Sequence, residues 1–443
     1  MSGLARKLRT TDYFTLGFGT MVGVGWLVLM DDWLQRGGPA GVALGFLIGG
    51  LALLPIALVY GRLVEAIPDA GTEIAYTARV FPRDASFAAG WMMLLAYLIV
   101  CPWEAVAIGR LASYLVPSLD RLELYRVGDH PVFLPRLLLG LALTVLITLI
   151  NARGIRLSAT FQKWMTFLLL AVFVLLAAAS VGRGSLQNLR PPFAHGPVLS
   201  ILLVLQIVPY FMTGFEAVPK CAEEAAPEFR SRGFFRAILM SLVIGALFYA
   251  VVVTLVAYLR PWPGLATRKF ATAVAFEQAF GGRLVVHLLF LAALASLMKV
   301  FNGNFVAASR LLFALGRERL VSPAFGRIHE ATRTPHVAVL ALGGVTAAAA
   351  CLGDALLVPI TEVGSMASAL GWLAACVACF LLRPAPSDRA LAATGAIVAA
   401  ILVLMKLLPF VPGHFTVYEW IALAGWGALG LWARRPGGVP ASR

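Results

Sequence analysis

Apolar residues along this chain gather into twelve long stretches, at about 12–30, 40–64, 86–116, 134–150, 162–182, 198–219, 234–259, 284–314, 336–352, 356–382, 389–408 and 415–433. Charged residues fall mostly in the short segments between them. A bilayer core about 30 Å thick needs about 20 mostly apolar residues per helix, so each stretch predicts one membrane-spanning α-helix. Only 13% of the residues are charged and 60% are hydrophobic, where a soluble domain carries about 25% charged residues. The expected fold is an all-α polytopic membrane protein, a single transmembrane domain over residues 1–443 in contact with the lipid bilayer.

Two stretches break the simple pattern. The first reads GFGTMVGVGWLVLMDDW, with Gly17, Gly19, Gly23 and Gly25 inside nine residues. Glycine weakens a helix and frees backbone groups, so local unwinding is expected near Gly23–Gly25. The sixth reads QIVPYFMTGFEAVPKCAEEAAP, where Pro209, Gly214 and Pro219 interrupt the helix and Glu216 stands inside it. A helix cannot pass smoothly through such a run in lipid unless its freed groups face protein or a cavity. Paired interruptions at matching places in two halves point to a secondary transporter with its substrate site at the breaks. Half-helix N-termini offer N–H groups to an anion, and unwound carbonyls face a cation. A zwitterionic amino acid needs both: amides of Gly23, Val24 and Gly25 for the carboxylate, carbonyls around Met21, Val22 and Tyr210–Thr213 for the ammonium.

The residues that carry these breaks also carry a resemblance. GTMVGVGW resembles the first-helix motif of the amino acid–polyamine–organocation (APC) superfamily of permeases, and GFEAV with AEEAAPEFRSRGFFRAI resembles its sixth helix and the turn behind it. NGNFVAASRLLFALGRERLVSPAFGRIHEATRTPHVAV resembles the eighth helix and following loop, and NARGIRLSATFQ the start of the fifth. The resemblance implies a leucine-transporter-like fold of two inverted five-helix repeats, 12–182 and 198–382, with two further helices over 389–433. It implies alternating-access transport of amino acids or amines. It places the substrate carboxylate on the amides of Gly23, Val24 and Gly25, and the amine on carbonyls of Met21, Val22 and the Phe211, Met212, Thr213 region. Tyr210 falls where the family has an aromatic lid, and Phe215 where a residue lines the side-chain pocket. Two departures stand out: the middle of the glycine triplet is usually small and here is Val24, and bulky Trp26 follows.

Charges at membrane depth are expensive, so each is a functional-site hypothesis. Glu104 lies mid-span after Pro102 and reads either as a satisfied structural charge or as a group that binds a proton or a cationic substrate. Glu216 reads as a cap on loose amides or as a coupling group. Asp31 and Asp32 read as a solvated helix end or a cation-attracting mouth, and Lys220 as a side chain snorkelling to the interface. Lys299 stands where the resemblance gives sodium-coupled carriers a small or hydroxylated residue. Some sodium-independent members fill that volume with a fifth-helix lysine, and the matching position here is Leu169. An ammonium donates three hydrogen bonds and accepts none, so Lys299 can replace sodium at the carbonyls of Thr20–Gly23 and can carry a coupled proton. The alternative is a structural ion pair with Glu104 or Glu216.

The net charge of +14 changes the picture only through its distribution. With twelve spans and an inner N-terminus, 23 of the 36 Lys and Arg fall on the inner side, 12 on the outer side, and Lys299 in the core. That asymmetry predicts cytoplasmic termini in the cytoplasmic membrane, and no nucleic-acid partner. The N-terminus runs directly into a span and does not read as a cleavable signal. Cys376 and Cys379 sit one turn apart in an apolar helix and read as packing, not a redox or metal site. The expectation is a sodium-independent amino acid permease, proton-coupled or exchanging, with no cofactor and no metal. An amine or polyamine carrier is the alternative; the Gly-x-Gly amides argue against it. A membrane-embedded enzyme or a non-transporting sensor lacks a nucleophile–base pair or an output domain in this sequence.

Overall fold

The computed structural model of the chain describes residues 3–353 and 357–435. The first expected span is a broken helix: α1 (Thr10–Met21), α2 (Gly25–Val28) and the start of α3 (Met30–Ala66). α3 is two helices joined at Gly38, whose φ of 63° suits a residue without a β-carbon, and Pro39 restarts the second. A β-carbon on Gly38 would stand 2.9 Å from the backbone nitrogen of Ala194. After the short α4 (Glu73–Thr77), the third span divides into α5 (Arg83–Leu98) and α6 (Val100–Leu115). The joint at Ile99 keeps helical dihedrals (φ −63°, ψ −26°), so Pro102 removes the donor to the Leu98 carbonyl without opening the backbone.

The fourth and fifth spans are α7 (Leu134–Arg153) and α8 (Ile155–Ser180). The sixth is in pieces: α9 (Pro197–Leu205), α10 (Val208–Met212) and α11 (Ala217–Lys220). α12 (Arg232–Leu259) follows, then the short α13 (Trp262–Leu265) and α14 (Ala271–Phe280), and the long α15 (Arg283–Arg317). The chain closes with α16 (His336–Ala350), α17 (Leu357–Leu382), α18 (Pro386–Leu407) and α19 (Val417–Ala433). The start of the expected tenth span, at 356, lies outside the described residues. Proline opens α9 and α18, where its missing N–H has no partner to lose, and a capping box of Thr416 and Glu419 opens α19.

Among the described residues, eight helical runs are long and apolar enough to cross a membrane, and the protein is an integral membrane protein. The two broken spans fall outside that set because their pieces are short, and α16 and α19 because they have 15 and 17 residues. Beyond the short α4 and α13, two larger elements lie where hydrophobicity predicts none. One is α14; the other is a hairpin of β1 (Glu123–Val127) and β2 (His130–Phe133), turning through Gly128 at a φ of 58°. α1 is central, packed by α8, α12 and α15, so the broken helix is enclosed by protein and not by lipid.

One end of the bundle is held shut by polar contacts. Leu8 forms a parallel bridge with Ala225, through Leu8 N to Glu224 O and Ala226 N to Leu8 O, both 2.9 Å. The Glu224 side chain takes a two-pronged pair from Arg310, at 2.7 and 3.1 Å, with both side chains fully buried. Removing one member of a buried pair leaves an uncompensated charge and costs roughly 3–5 kcal/mol. Arg310→Met is therefore expected to lower the apparent melting temperature in detergent sharply. Adding Glu224→Met should recover part of that loss, and thermal unfolding followed by tryptophan fluorescence measures both.

Candidate functional site

The two breaks face each other. α1 stops at Met21, and Val22 is already extended; the next helical residue is Gly25. α10 stops at Met212, Thr213 is extended, and Gly214 has a φ of 143°. A β-carbon on Gly214 would stand 2.6 Å from the Met21 nitrogen, and one on Gly25 would stand 2.6 Å from the Phe211 ring. Glycine is required at both positions because backbone passes backbone or ring at contact distance.

A helix end leaves its last carbonyls without intrahelical donors. Every carbonyl from Gly19 to Gly23 receives a donor from α12 or α15. Lys299 Nζ donates to Gly19 O at 3.2 Å and to Val22 O, with the Phe18 ring 5.5 Å away. Asn304 Nδ2 donates to Thr20 O at 3.3 Å, and Tyr249 OH to Met21 O at 3.0 Å. Ser296 Oγ reaches Val22 O at 3.1 Å and Gly23 O at 2.8 Å. Lys299 therefore sits fully buried among the carbonyls of the first break. No ion pair joins it to Glu104 or Glu216 among the described residues; Glu104 acts on it through space.

Between the breaks lies a small cavity, leaving about 20 Å³ for the centre of a water-sized sphere. That is room for about one water, so an amino acid requires the walls to move apart. The first break contributes Thr20, Met21, Gly23 and Gly25, and α6 contributes Val100, Trp103 and Glu104. Tyr210, Phe211 and Thr213 close it from the sixth span, and Val300 and Asn304 from α15. A β-carbon on Gly23 would be 3.2 Å from Glu104 Oε1, so this carboxylate lies against the glycine break itself. Glu104 Oε2 and Asn304 Oδ1 are buried without a hydrogen-bond partner, two acceptors in the cavity wall, one from α6 and one from α15. Such a wall suits a group that donates protons.

Of the residues singled out from sequence, Met21, Gly23, Gly25, Tyr210, Phe211, Thr213 and Glu104 come together around this cavity. Val22, Val24, Met212 and Phe215 do not line it. Phe215 is turned away by the extended Thr213 and the left-handed-side Gly214, and packs on Tyr60 and Trp372. Trp26 packs edge-on to Phe248 and does not narrow the cavity. Glu216 accepts from Gly214 N at 3.1 Å, as a cap would, and lies off the cavity.

Lys220 requires a correction. It does not snorkel outward: its side chain is fully buried and paired to Glu73 at 2.9 Å, under the ring of Tyr97 at 4.9 Å. Tyr60 OH completes the pair by donating to Glu73 at 2.5 Å. Glu73 carries no signal in the sequence because it lies in the short α4, 147 positions from its partner. Asp32 pairs with Arg36 at 2.8 Å, so it is a paired helix-start charge and not a lone vestibule anion. Sequence reasoning also missed Asn304, although a second polar residue at membrane depth on the Lys299 helix was a usable signal.

Spans interrupted at two facing points, with a small cavity between the interruptions, define a carrier-type membrane protein. The amino acid permease family matches residues 8–430, and the chain belongs to that family. It is 26% identical to the branched-chain amino acid permease BcaP of Bacillus subtilis, over 84% of this chain and 79% of that protein. It is 25% identical to the methylthioribose transporter of Bacillus subtilis, over 75% and 72%. It is 26% identical to the vacuolar cationic amino acid transporter 4 of Arabidopsis thaliana, over 87% of this chain and 64% of that one.

The close approach of the breaks gives a direct test. Gly214→Ala puts a methyl group into the Met21 backbone, and overpacking of this kind costs roughly 1–3 kcal/mol. Transport should be lost and the melting temperature lowered. Gly425→Ala, where nothing stands within 4 Å of the added carbon, should leave both unchanged.

Proposed function

We propose that this permease is a secondary active transporter that carries an amino acid across the cytoplasmic membrane by alternating access, without sodium. The observation that carries the reading is the cavity at the meeting of the two breaks, lined by glycine backbone and by two unpaired acceptors. Amides of Gly23, Val24 and Gly25 take the substrate carboxylate. The ammonium lies toward Met21 and the Phe211–Thr213 carbonyls, with Tyr210 closing over it. Met21 O keeps one lone pair beside its bond from Tyr249, whereas Val22 O is taken by the Lys299 ammonium. Twelve spans, two inverted repeats over 12–182 and 198–382, two further helices over 389–433, and cytoplasmic termini complete the architecture.

Lys299 supports the sodium-independent part of the reading. Its ammonium donates to the carbonyls that a mobile cation would otherwise coordinate, and a tethered charge neither enters nor leaves with substrate. Glu104 supports proton coupling: it is a buried carboxylate on the cavity wall, free on one oxygen. The same observation favours a second reading, an amine carrier in which Glu104 holds a substrate cation. The relatives' names span branched-chain and cationic amino acids and methylthioribose, so the family leaves the side chain open.

Reconstituted proteoliposomes test the reading. Uptake of a radiolabelled amino acid mixture should be saturable and unchanged when choline replaces sodium. Displacement by diamines but by no amino acid would favour the amine carrier, and no uptake of either class would end the transport reading. Lys299→Met strands two buried carbonyls, worth about 1–3 kcal/mol, and uptake should fall by about tenfold or more. Glu104→Gln should abolish accumulation driven by a pH gradient while sparing exchange. Persistence of gradient-driven accumulation would remove Glu104 from coupling.

A further inference from the structure

A strongly basic cavity lies away from the two breaks. A cavity of about 640 Å³ opens at the bundle end that carries the Leu8–Ala225 bridge, with Arg9, Arg230, Arg232 and Arg236 in its wall and Glu228 as the one carboxylate there. Arg9 approaches Glu228 only at 4.0 Å, with both side chains mostly exposed. Among the described residues, no carboxylate lies within ion-pairing distance of Arg230, Arg232 or Arg236. Four guanidinium groups around one cavity, largely unpaired, are a receptor for a phosphate-bearing anion. The positive end of α12, which begins at Arg232, adds to the same field.

The helix that carries two of these arginines says what kind of anion. Arg232 and Arg236 are one turn apart, and Met240, Val243, Leu247 and Val251 continue the same face at spacings of three and four. At 3.6 residues per turn all six fall within an arc of about 100°. The four apolar members are 42% to 49% exposed, a continuous apolar strip facing outward along a membrane-length helix. A soluble phosphate compound would use the arginines and leave that strip unused. A phospholipid uses both: phosphate at the arginines, acyl chain along Met240–Val251.

We propose that this cavity and strip form a binding site for an anionic phospholipid, which bridges the start of α1 and the start of α12. Both elements adjoin broken helices: Arg9 immediately precedes α1, and Arg230 and Arg232 follow the turn after α11. A headgroup held there ties the first and sixth spans together at the closed end.

Native mass spectrometry of the purified full-length protein, titrated with phosphatidylglycerol and phosphatidylcholine of identical acyl chains, tests this. The native protein should retain phosphatidylglycerol preferentially. Arg232→Gln with Arg236→Gln should weaken it by roughly 25-fold, about fivefold for each charge near an anionic headgroup. Arg232→Lys with Arg236→Lys, which keeps charge at both positions, should retain the preference and also shows that the site tolerates substitution. Equal retention of the two lipids by the native protein, or an unchanged preference in the glutamine variant, would overturn the proposal. Thermal protection by inorganic phosphate or glycerol 3-phosphate equal to that by phosphatidylglycerol would overturn it too, by making the site one for a soluble anion.

Discussion

The structure depends on supplying hydrogen-bond donors to a helix that stops in the middle of a membrane. A break in lipid strands carbonyls that water would otherwise satisfy, and each stranded buried group costs about 1–3 kcal/mol. Between Gly19 and Gly23 there are five such carbonyls, and Lys299, Asn304, Tyr249 and Ser296 satisfy all of them. Three of those side chains come from α15, so the long unbroken helix acts as the template on which the broken one is held. This explains how a lysine is tolerated there. Its ammonium brings several donors on one flexible stem, which no neutral residue of similar length does.

The same logic separates the two faces of the break. The carbonyls that face α12 and α15 are already supplied with donors. The side toward Glu104, Tyr210 and Phe211 is lined by glycine backbone and by the unpartnered Glu104 Oε2, with Asn304 Oδ1 as a second unpartnered acceptor reaching the cavity from α15. One side of the break is therefore rigid and the other is available. Ring packing supports the available side from behind: Phe211 stacks edge-on to Tyr210, Trp33 and Tyr249 at 4.9 to 6.0 Å. Such aromatic layers keep water out while allowing rings to swing, which a cavity too small for an amino acid must do to admit one.

What could be read from sequence followed the range of the interaction. The breaks were legible because glycine and proline act locally, and the observed gaps at Val22–Val24 and Thr213–Glu216 lie at or beside the glycines that signalled them. Lys299 and Glu104 were legible as charges at membrane depth. Their surroundings were not. Tyr249 and Ser296 look like ordinary helix residues until the fold sets them beside Met21 and Gly23, 228 and 273 positions away. Phe215 was misplaced because periodicity assigns faces only while a helix is continuous, and Gly214 resets the direction of the chain. Lys220 was misplaced for a related reason: snorkelling assumes that water is the nearest partner, and here Glu73 is nearer.

The buried pairs then set where the molecule can open. Lys220 with Glu73, and Arg310 with Glu224, are fully buried and lie on the side of the sixth-span break where α11 and its turn meet α4 and α15. Pulling such a pair apart without solvent is costly, whereas letting water reach it converts the same contact into a weak surface bridge. Opening at that end is therefore coupled to wetting: the first waters to enter lower the cost of the next separation. The Asp32–Arg36 pair at the other end is already partly exposed and has little left to gain from water. A carrier built this way rests with one end shut by buried charge and the other by aromatic packing, two closures that yield to different forces.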